Sequence, residues 1–392
     1  MSDKANISPN VLTWARESAR MPEETAAAKV SVSVEKLKEW EEGISQPTIR
    51  QAETLAKAYR RPFALFFLPE IPRDFQPLQD YRKKDANPLG TASIFIIREI
   101  QQKQSWIRDV YEDNKEEPIS FVGKFSLQDN PEKVAKDILT TLEINPSQYL
   151  SGNPIKEWID KAEAKGIFIS RTSFIHSRLK LDSEEIQGVA IADSYAPFIF
   201  VNSEDWDAPQ LFTLVHELAH IWIAATGVSN EIKPELKHKN KFHPVELFCN
   251  EVAANALMPV EVMKRLNISV FNSGKEAFAT AKISGVSTFA FLVRALNLQL
   301  ISPTQYRKLK TEADKEFHAF LKKEAERKER GKEKEKKGGT NYYLLQLHKN
   351  GKLFTQVVLN AFRGGFVEPT LASSLLNTQI NNFQKLEAQL YR

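Results

Sequence analysis

Two histidines four residues apart, with a glutamate between them, are the residues of this chain whose spacing most directly allows chemistry. They are His216 and His220, with Glu217 between them in the pentapeptide His-Glu-Leu-Ala-His. On a helix, this spacing puts both imidazoles on one face, about one turn apart, where they can bind the same tetrahedral cation. Glu217 then lies beside the open coordination position and can take a proton from a water molecule there. The pentapeptide therefore predicts a zinc-hydrolase site.

The residues around the pentapeptide predict the helix that this geometry needs. Asp207 and Pro209 favour a helix start, as an N-cap acid and a proline near the first helical position. An apolar face continues to Trp222, and Thr226-Gly227 offers a stop. The alternative interpretation is a buried amphipathic helix that carries two incidental histidines.

A catalytic zinc ion usually keeps three protein ligands and one position for water, so a third ligand is expected. A histidine six residues after His220 would define the extended three-histidine class of peptidases. Thr226 is at that position, and Ile223 replaces the glycine of that class, which is therefore excluded. The remaining candidates lie downstream: His238, His243, Glu231, Glu235, Glu246 and Glu251.

Glu246 is the favoured candidate because it opens a second helical run that ends at Pro259. Three small residues in this run allow the second helix to approach the first closely: Ala253, Ala254 and Ala256. His243 is the main competitor as a third ligand, and as a fourth ligand it would make the site structural. Its position outside the helix instead favours a surface residue or one that contacts a metal ligand without binding the metal itself.

The two runs together, HELAH and ELFCNEVAANALMP, resemble the ImmA/IrrE family of bacterial zinc metallopeptidases. The second motif of that family has an acid, an asparagine, an alanine pair and a terminal Leu-Met-Pro. The resemblance implies His216, His220 and Glu246 as zinc ligands and Glu217 as general base, and Asn250 also matches the family motif. It further implies a bacterial or mobile-element regulatory role, in which cleavage of a repressor changes transcription.

The residues before the histidine helix favour strands. Ile167–Ser170 predicts one strand, and Gly188–Ala192 with Pro197–Asn202 predicts a hairpin. A small antiparallel sheet is therefore expected next to the helix, in a zincin-like domain. An edge strand of such a sheet can hold an extended substrate by backbone pairing.

Residues 8–68 predict a separate helical domain of four or five short helices with polar turns. Its residues resemble the helix-turn-helix domain of phage-repressor-like regulators at Val32-Ser33, Leu37, Trp40-Glu41, Gly43 and Pro47-Thr48. The resemblance implies a recognition helix that begins near Ser33. It would present Ser33, Val34, Lys36 and Lys38 to a DNA major groove.

Charge weakens the DNA-binding interpretation of this domain. Residues 1–60 contain nine basic and nine acidic residues, so their net charge is zero. DNA affinity depends largely on neutralising phosphates, which Glu35 and Glu39 on the presumed recognition helix would oppose. DNA binding and docking to another protein, or dimerisation, therefore both stay open. The net charge of the whole chain, +4, decides neither.

The 392 residues leave room for several domains, and the expected class is α+β, mostly α. Four regions are predicted: a helix-turn-helix domain at 1–75, a helical connector at 76–155, a zinc metallopeptidase domain at 156–265, and a helical C-terminal region at 266–392 with a charged linker at 312–339. The single cysteine, Cys249, and the lack of a membrane-length apolar run favour a cytoplasmic protein with no membrane partner.

Two functions compete at this point. The first is a zinc-dependent endopeptidase for a protein substrate such as a transcriptional repressor, brought to DNA or to a DNA-bound regulator by the helix-turn-helix. The second is a DNA-binding transcriptional regulator, or an antitoxin-like interaction protein, whose zinc fold senses or docks without proteolysis. Glu217 favours the first, because a purely structural metal site needs no base.

Overall fold

The computed structural model describes residues 3–73, 78–81, 88–149, 152–176, 179–230, 243–335 and 342–391. The chain divides into two compact units. Unit 1 contains Met1–Pro77, Asn87–Gln101 and Phe174–Glu185, and unit 2 contains Leu78–Ala86, Gln102–Ser173 and Ile186–Arg392. The four regions predicted above remain predictions, since this division is coarser. Within the described ranges, no helix has both the length and the apolar character that crossing a membrane would require.

Helices dominate the described residues, and a small sheet accompanies them, so the chain is α+β and mostly helical. In chain order the helices are α1 (Pro9–Ser18), α2 (Glu23–Lys29), α3 (Val34–Glu41), α4 (Ile49–Tyr59), α5 (Thr91–Asp113), α6 (Pro131–Leu142), α7 (Pro154–Ala164), α8 (Asp207–Trp222), α9 (Pro244–Leu257), α10 (Val260–Lys264), α11 (Gly274–Ile283), α12 (Thr288–Asn297), α13 (Pro303–Glu335), α14 (Tyr342–Asn350), α15 (Lys352–Arg363), α16 (Pro369–Leu376) and α17 (Phe383–Glu387). The strands are β1 (Gln79–Asp80), β2 (Phe168–Thr172), β3 (Phe174–His176), β4 (Leu179–Lys180), β5 (Gly188–Ile191), β6 (Phe198–Asn202) and β7 (Gly227–Ser229). Short 3-10 turns cover Phe63–Phe67, Ile268–Phe271 and Ile380–Asn382.

Helices α1 to α4 and the turn after them account for the short helices predicted in residues 8–68. The Trp-Glu-x-Gly segment contributes to the packing of unit 1. Trp40 is buried, and the Glu41 carboxylate accepts hydrogen bonds from Arg16 Nε at 2.7 Å and Nη2 at 2.8 Å. Gly43 has a φ of 77°, in the left-handed region that favours glycine. The Trp-Glu-x-Gly segment therefore stabilises unit 1, and this role is the same whether unit 1 binds DNA or a protein.

Five strands of the described residues form one sheet in the order β1-β7-β5-β6-β2. The predicted hairpin is confirmed, because β5 and β6 pair antiparallel from Gly188↔Val201 to Ile191↔Phe198. The antiparallel prediction for the whole sheet is wrong, since β2 is parallel to β6 and β1 is parallel to β7. The physical reason is connection length: β2 reaches β6 through β3, β4 and β5, and a long crossover can restore the strand direction.

The helix with the two histidines, α8, runs from Asp207 to Trp222 and is preceded by Trp206 as its N-cap residue. Asp207 is therefore in the first turn, where a carboxylate favours the positive end of the helix dipole, and the prediction that it caps the helix is wrong. Gly227 begins β7 rather than ending α8. The helix ends before the predicted stop at Thr226-Gly227, and every residue from Gln210 to Trp222 is buried.

Helix α9 begins at Pro244, two residues before the predicted start, because His243 is its N-cap residue. It packs against α8, and Ala253 and Ala256 are fully buried. The small side chains thus allow the close approach that the sequence predicts, and they bring Glu246 to the face of α8.

The C-terminal helices pack within unit 2 against β2 and α7. Ser170 Oγ on β2 donates to the Lys349 carbonyl at 2.6 Å, and the Leu353 amide at the start of α15 donates to Glu163 Oε1 at 3.0 Å. The charged run predicted as a linker is helical as far as Glu335, and residues 336–341 lie outside the described residues.

Candidate metal centre

Donor atoms of three side chains from two helices converge beside the sheet. His216 and His220 of α8 bring their Nε2 atoms to 3.1 Å from each other. Glu246 of α9 places Oε2 at 3.2 Å from His216 Nε2 and Oε1 at 3.2 Å from His220 Nε2. All three side chains are buried. The predicted ligand set is therefore brought together.

These distances fit a tetrahedral cation. Ligands about 2.0–2.1 Å from zinc are separated from one another by roughly 3.4 Å in tetrahedral geometry. The Nε2–Nε2 separation is 3.1 Å, and each Nε2 lies 3.2 Å from its nearer Glu246 carboxylate oxygen, so all three distances differ from that value by only a few tenths of an ångström. Two imidazoles and one carboxylate also form a donor set that is common for catalytic zinc. The residues present therefore fit this metal.

The second nitrogen of each imidazole is held by an acceptor. His216 Nδ1 lies 3.0 Å from Asn250 Oδ1, and His220 Nδ1 lies 3.1 Å from the Ala225 carbonyl oxygen. A carbonyl oxygen only accepts, and so does the Asn250 oxygen, so both Nδ1 atoms carry the proton. The lone pairs on both Nε2 atoms are then directed at the point where the donor atoms meet.

The turn after α8 supplies the Ala225 carbonyl. Ala224 adopts a φ of 53°, in the left-handed region, and the Ala225 amide donates back to the His220 carbonyl at 2.9 Å. The chain therefore reverses within a few residues, and the backbone returns to the ring of His220 before it enters β7.

Glu246 is held as a carboxylate by its surroundings. Burial alone would raise its pKa, but positive charge on the two histidine side chains, which requires protonated imidazoles, and the hydrogen bonds they would then donate outweigh burial and lower the pKa to about 2. A cation bound between neutral imidazoles would favour the carboxylate in the same way. Ser229, at the end of β7, donates its hydroxyl to Glu246 Oε1 at 3.2 Å. The side chain is therefore charged and oriented toward the two histidines.

Glu217 is completely buried, and neither of its carboxylate oxygens has a hydrogen-bond donor. Ser229 also lies near, but its single hydroxyl proton is directed at Glu246, so it cannot serve both carboxylates. The side chain packs against Gly188 of β5, where a Cβ would lie 2.1 Å from Glu217 Oε1. Burial is the largest cause that raises the pKa of Glu217; His220 opposes it, the negative charge of Glu246 adds to it, and the net result is a pKa of about 8. Such a carboxyl group is suited to exchange a proton near neutral pH.

The Cys249 side chain also lies close to the converging donors. The donor atoms of His216, His220 and Cys249 are all within 4.8 Å of one another. Burial, and then the charges of Glu246 and Glu217, raise the pKa of the Cys249 thiol well above its usual value. Glu246 has a carboxylate oxygen 3.2 Å from each imidazole nitrogen, so it is the better third donor. Cys249 then packs as a small buried group.

His243 does not point a nitrogen at the cluster of donors. Its Nδ1 accepts a hydrogen bond from the Val245 amide at 3.3 Å, which caps α9. Glu251 is exposed on α9. The other downstream candidates, Glu231, Glu235 and His238, lie outside the described residues.

The residues predicted to contact DNA lie on or next to α3 and have local partners. Ser33 caps the helix and accepts the Lys36 amide proton at 3.2 Å. Lys36 forms an ion pair with Glu39, and Lys38 Nζ lies 3.1 Å from Glu23 of α2. The two lysine charges are thus balanced within unit 1.

Sequence reasoning missed two side chains of this centre. Ser229 follows α8 in a three-residue strand, and no local pattern signals its contact with Glu246. Tyr81 follows the two-residue strand β1, and its ring stacks on His220 with 5.5 Å between ring centroids. From sequence alone, the Asp-Tyr-Arg residues at 80–82 indicate only part of the connection between the helical domain and the peptidase domain. Both contacts depend on strand pairing between distant segments.

A comparison with known families agrees with this centre. Residues 162–295 match the model of the IrrE N-terminal-like domain, Peptidase_M78. The matched range contains His216, Glu217, His220, Glu246 and Asn250. No curated protein matches the chain. The match supports the resemblance to the ImmA/IrrE family for this part of the chain, and with it a metallopeptidase domain.

Proposed function

We propose that the chain is a zinc-dependent endopeptidase that cleaves a protein substrate, with a transcriptional repressor as the expected target. The observation that carries this proposal is the meeting of His216 Nε2, His220 Nε2 and the two Glu246 carboxylate oxygens, one facing each histidine, at 3.1 to 3.2 Å beside a buried Glu217 without a hydrogen-bond donor. A purely structural site would have no use for such a carboxyl group.

His216, His220 and Glu246 would hold the zinc ion, which when bound acts as a Lewis acid toward a peptide carbonyl and toward water. Glu217 would accept a proton from the attacking water and pass it to the leaving amine. Asn250 and the Ala225 carbonyl keep the two imidazoles in the tautomer that donates through Nε2. Ser229 keeps the Glu246 carboxylate in place.

The sheet offers a place for an extended substrate. On the side of the metal centre β1 is the outermost of the described strands, and both of its residues are exposed. A peptide that added to this edge would lie next to Tyr81, and so next to His220. At the opposite edge, α14 packs on β2. The edge at β1 is therefore the better position for a peptide.

The role of unit 1 in this proposal is to bring the peptidase to its target. Because Lys36 and Lys38 are paired with acids, docking to a protein regulator fits unit 1 better than strong phosphate binding. DNA remains the other partner to be tested.

The test incubates the full chain with the repressor encoded nearest its gene, with and without zinc, and compares Glu217→Gln. The variant keeps the volume of the side chain but removes its basicity, so we expect cleavage about 10²- to 10⁴-fold slower with zinc binding retained. Glu251→Gln, an exposed change on α9, is the matched control and should cleave at the wild-type rate. If wild type with zinc leaves every candidate repressor as intact as Glu217→Gln does, the peptidase proposal fails. A regulator or interaction protein would then be the better account.

A binding test addresses unit 1. Affinity for the chain's own promoter DNA is measured against salt concentration, and a steep loss with salt would indicate phosphate contacts. Undetectable binding at low salt would instead support docking to a protein.

A further inference from the structure

The segment Leu78–Tyr81, which we term the connector segment, lies at the edge of the sheet beside the metal centre. Its strand β1 pairs with β7 in the register Gln79↔Gly227 and Asp80↔Val228, and the Tyr81 amide donates to the Val228 carbonyl at 3.1 Å. The next residue of β7 is Ser229, which contacts Glu246. The backbone pairing therefore fixes where the Tyr81 side chain lies relative to the ligands.

The Tyr81 ring covers one face of the His220 imidazole. The two rings are 5.5 Å apart between centroids and 27° from parallel, which is a stacked arrangement. The same ring lies 5.0 Å from the ring of His243. His220 is only 1% exposed. Tyr81 thus contributes to keeping this imidazole away from solvent.

Gly227 makes this approach possible. A Cβ at Gly227 would lie 2.3 Å from Cδ2 and Cε2 of Tyr81, a distance that real side chains do not tolerate. The φ of Gly227 is not in the left-handed region, so the backbone there does not by itself call for glycine. The close contact with Tyr81, and with the Gln79 carbonyl oxygen at 2.8 Å, is the reason for it. Gly227 and Tyr81 therefore form one packing unit.

We propose that Tyr81 is a positioning residue of the metal centre, which holds the His220 ring in the orientation that binds zinc. The Ala225 carbonyl fixes the edge of this ring through Nδ1, and Tyr81 fixes its face. The two constraints together determine the plane of the imidazole, and hence the direction of the Nε2 lone pair. The connector segment thereby makes zinc affinity depend on the pairing of β1 with β7. This inference rests on the proposed zinc site.

The test measures the zinc affinity of the full chain by competition with a chelator, and records the visible absorption of the cobalt(II)-substituted protein, which reports ligand geometry. The variants are Tyr81→Phe, Tyr81→Ala, Gly227→Ala and the double change Tyr81→Ala with Gly227→Ala. Tyr195→Ala, in the loop between β5 and β6, is the control for loss of a half-buried tyrosine.

We expect Tyr81→Phe and Tyr195→Ala to bind zinc like wild type, because the stack is intact in both. Tyr81→Ala should bind roughly three- to tenfold more weakly, the range expected from the loss of one aromatic pair, with an altered cobalt spectrum. Gly227→Ala should lose a similar factor because the new Cβ displaces the ring. The double variant should lose less affinity than the sum of the two single losses, since both changes act on the same ring, although the new Cβ also meets the Gln79 carbonyl oxygen.

Three results would overturn the inference. They are wild-type affinity in Tyr81→Ala, equal losses in Tyr81→Phe and Tyr81→Ala, and losses that add in the double variant. Faster repressor cleavage by Gly227→Ala with unchanged zinc affinity would also overturn it, because the connector segment would then be an inhibitory strap. If the wild-type protein binds neither zinc nor cobalt, the proposed function fails. If the wild-type protein binds zinc and Tyr81→Ala binds it equally well, only the inference about Tyr81 fails.

Discussion

In the metal centre, His216, His220 and Glu246 come from two helices and direct their donor atoms at one point, whereas on α3 the polar side chains find partners close by. Ser33 caps its own helix, and Lys36 and Lys38 pair with Glu39 and Glu23. In the metal centre, the Nδ1 atom of each histidine has a hydrogen-bond acceptor, and the Nε2 atom is left to bind a cation. In the second region the charges are already balanced.

The difference shows how polar groups can be used in a fold. A group that is satisfied by its neighbours contributes to stability, and a set whose lone pairs converge without donors favours a cation. Both regions carry recognisable motifs, but only the geometry of the metal centre indicates binding chemistry.

Removal of one converging ligand should have the largest effect. We expect Glu246→Ala to weaken zinc binding by about three orders of magnitude or more, since loss of even an outer partner of a ligand costs about 10- to 100-fold. Chelator competition measures the affinity. Glu251→Ala on the same helix is exposed and should keep wild-type affinity. Equal affinities in the two variants would exclude Glu246 as a ligand.

The buried ion pair of unit 1, Arg16–Glu41, should affect the free energy of unfolding rather than zinc affinity. Arg16 and Glu41 are 11% and 8% exposed at their side chains, so Glu41→Gln removes the nearest charge partner of a buried guanidinium. Glu23 and Glu17 remain at 3.8 and 4.0 Å, and the change should cost about 1.5–3 kcal/mol. Lys36→Ala breaks a pair whose side chains are 41% and 40% exposed and should change stability by less than about 1 kcal/mol. Hydrogen exchange of residues 9–59 measures both. Similar effects would show that the two pairs do not differ in the way their burial suggests.

A buried carboxyl group outside both regions should give a pH dependence. Burial raises the pKa of Glu163 from 4.5 to about 7, since the hydrogen bond from the Leu353 amide only partly compensates. Between these pH values the folded chain keeps a proton that the unfolded chain has released. Stability therefore falls as pH rises from 4.5 to 7, by about 3 kcal/mol from this group.

Urea unfolding across that pH range measures this effect. Glu163→Gln keeps an acceptor for Leu353 but does not titrate, so its stability should fall less with pH than that of wild type. Parallel pH curves for the two proteins would contradict the prediction.

Loss of a side chain that contacts a ligand should weaken zinc binding less than loss of the ligand itself. Asn250→Ala removes the acceptor of His216 Nδ1 and should weaken zinc binding about 10- to 100-fold. Asn250→Asp keeps an acceptor oxygen and should recover most of the affinity, as the same chelator competition would report. An Asn250→Ala protein with wild-type affinity would show that His216 needs no such partner.

The sequence by itself determined the elements that carry the site. The spacing of His216 and His220 sets their common helix face, and the run after Glu246 predicts a second helix with small residues on its packing face. The β5–β6 hairpin follows from two apolar runs separated by a short polar loop. These features are local, and the period of a helix or strand is enough to reveal them.

The tertiary structure decided what the local patterns could not specify. That β2 is parallel to β6 depends on a long crossover, and that β1 pairs with β7 depends on a two-residue strand from a linker. The roles of Ser229, Gly227 and Tyr81 follow from that pairing, because their contacts join segments with no common pattern. The physical reason is that the spacing of apolar residues indicates which face of a helix or strand is buried. Which segment packs against that face depends on the packing of the whole chain.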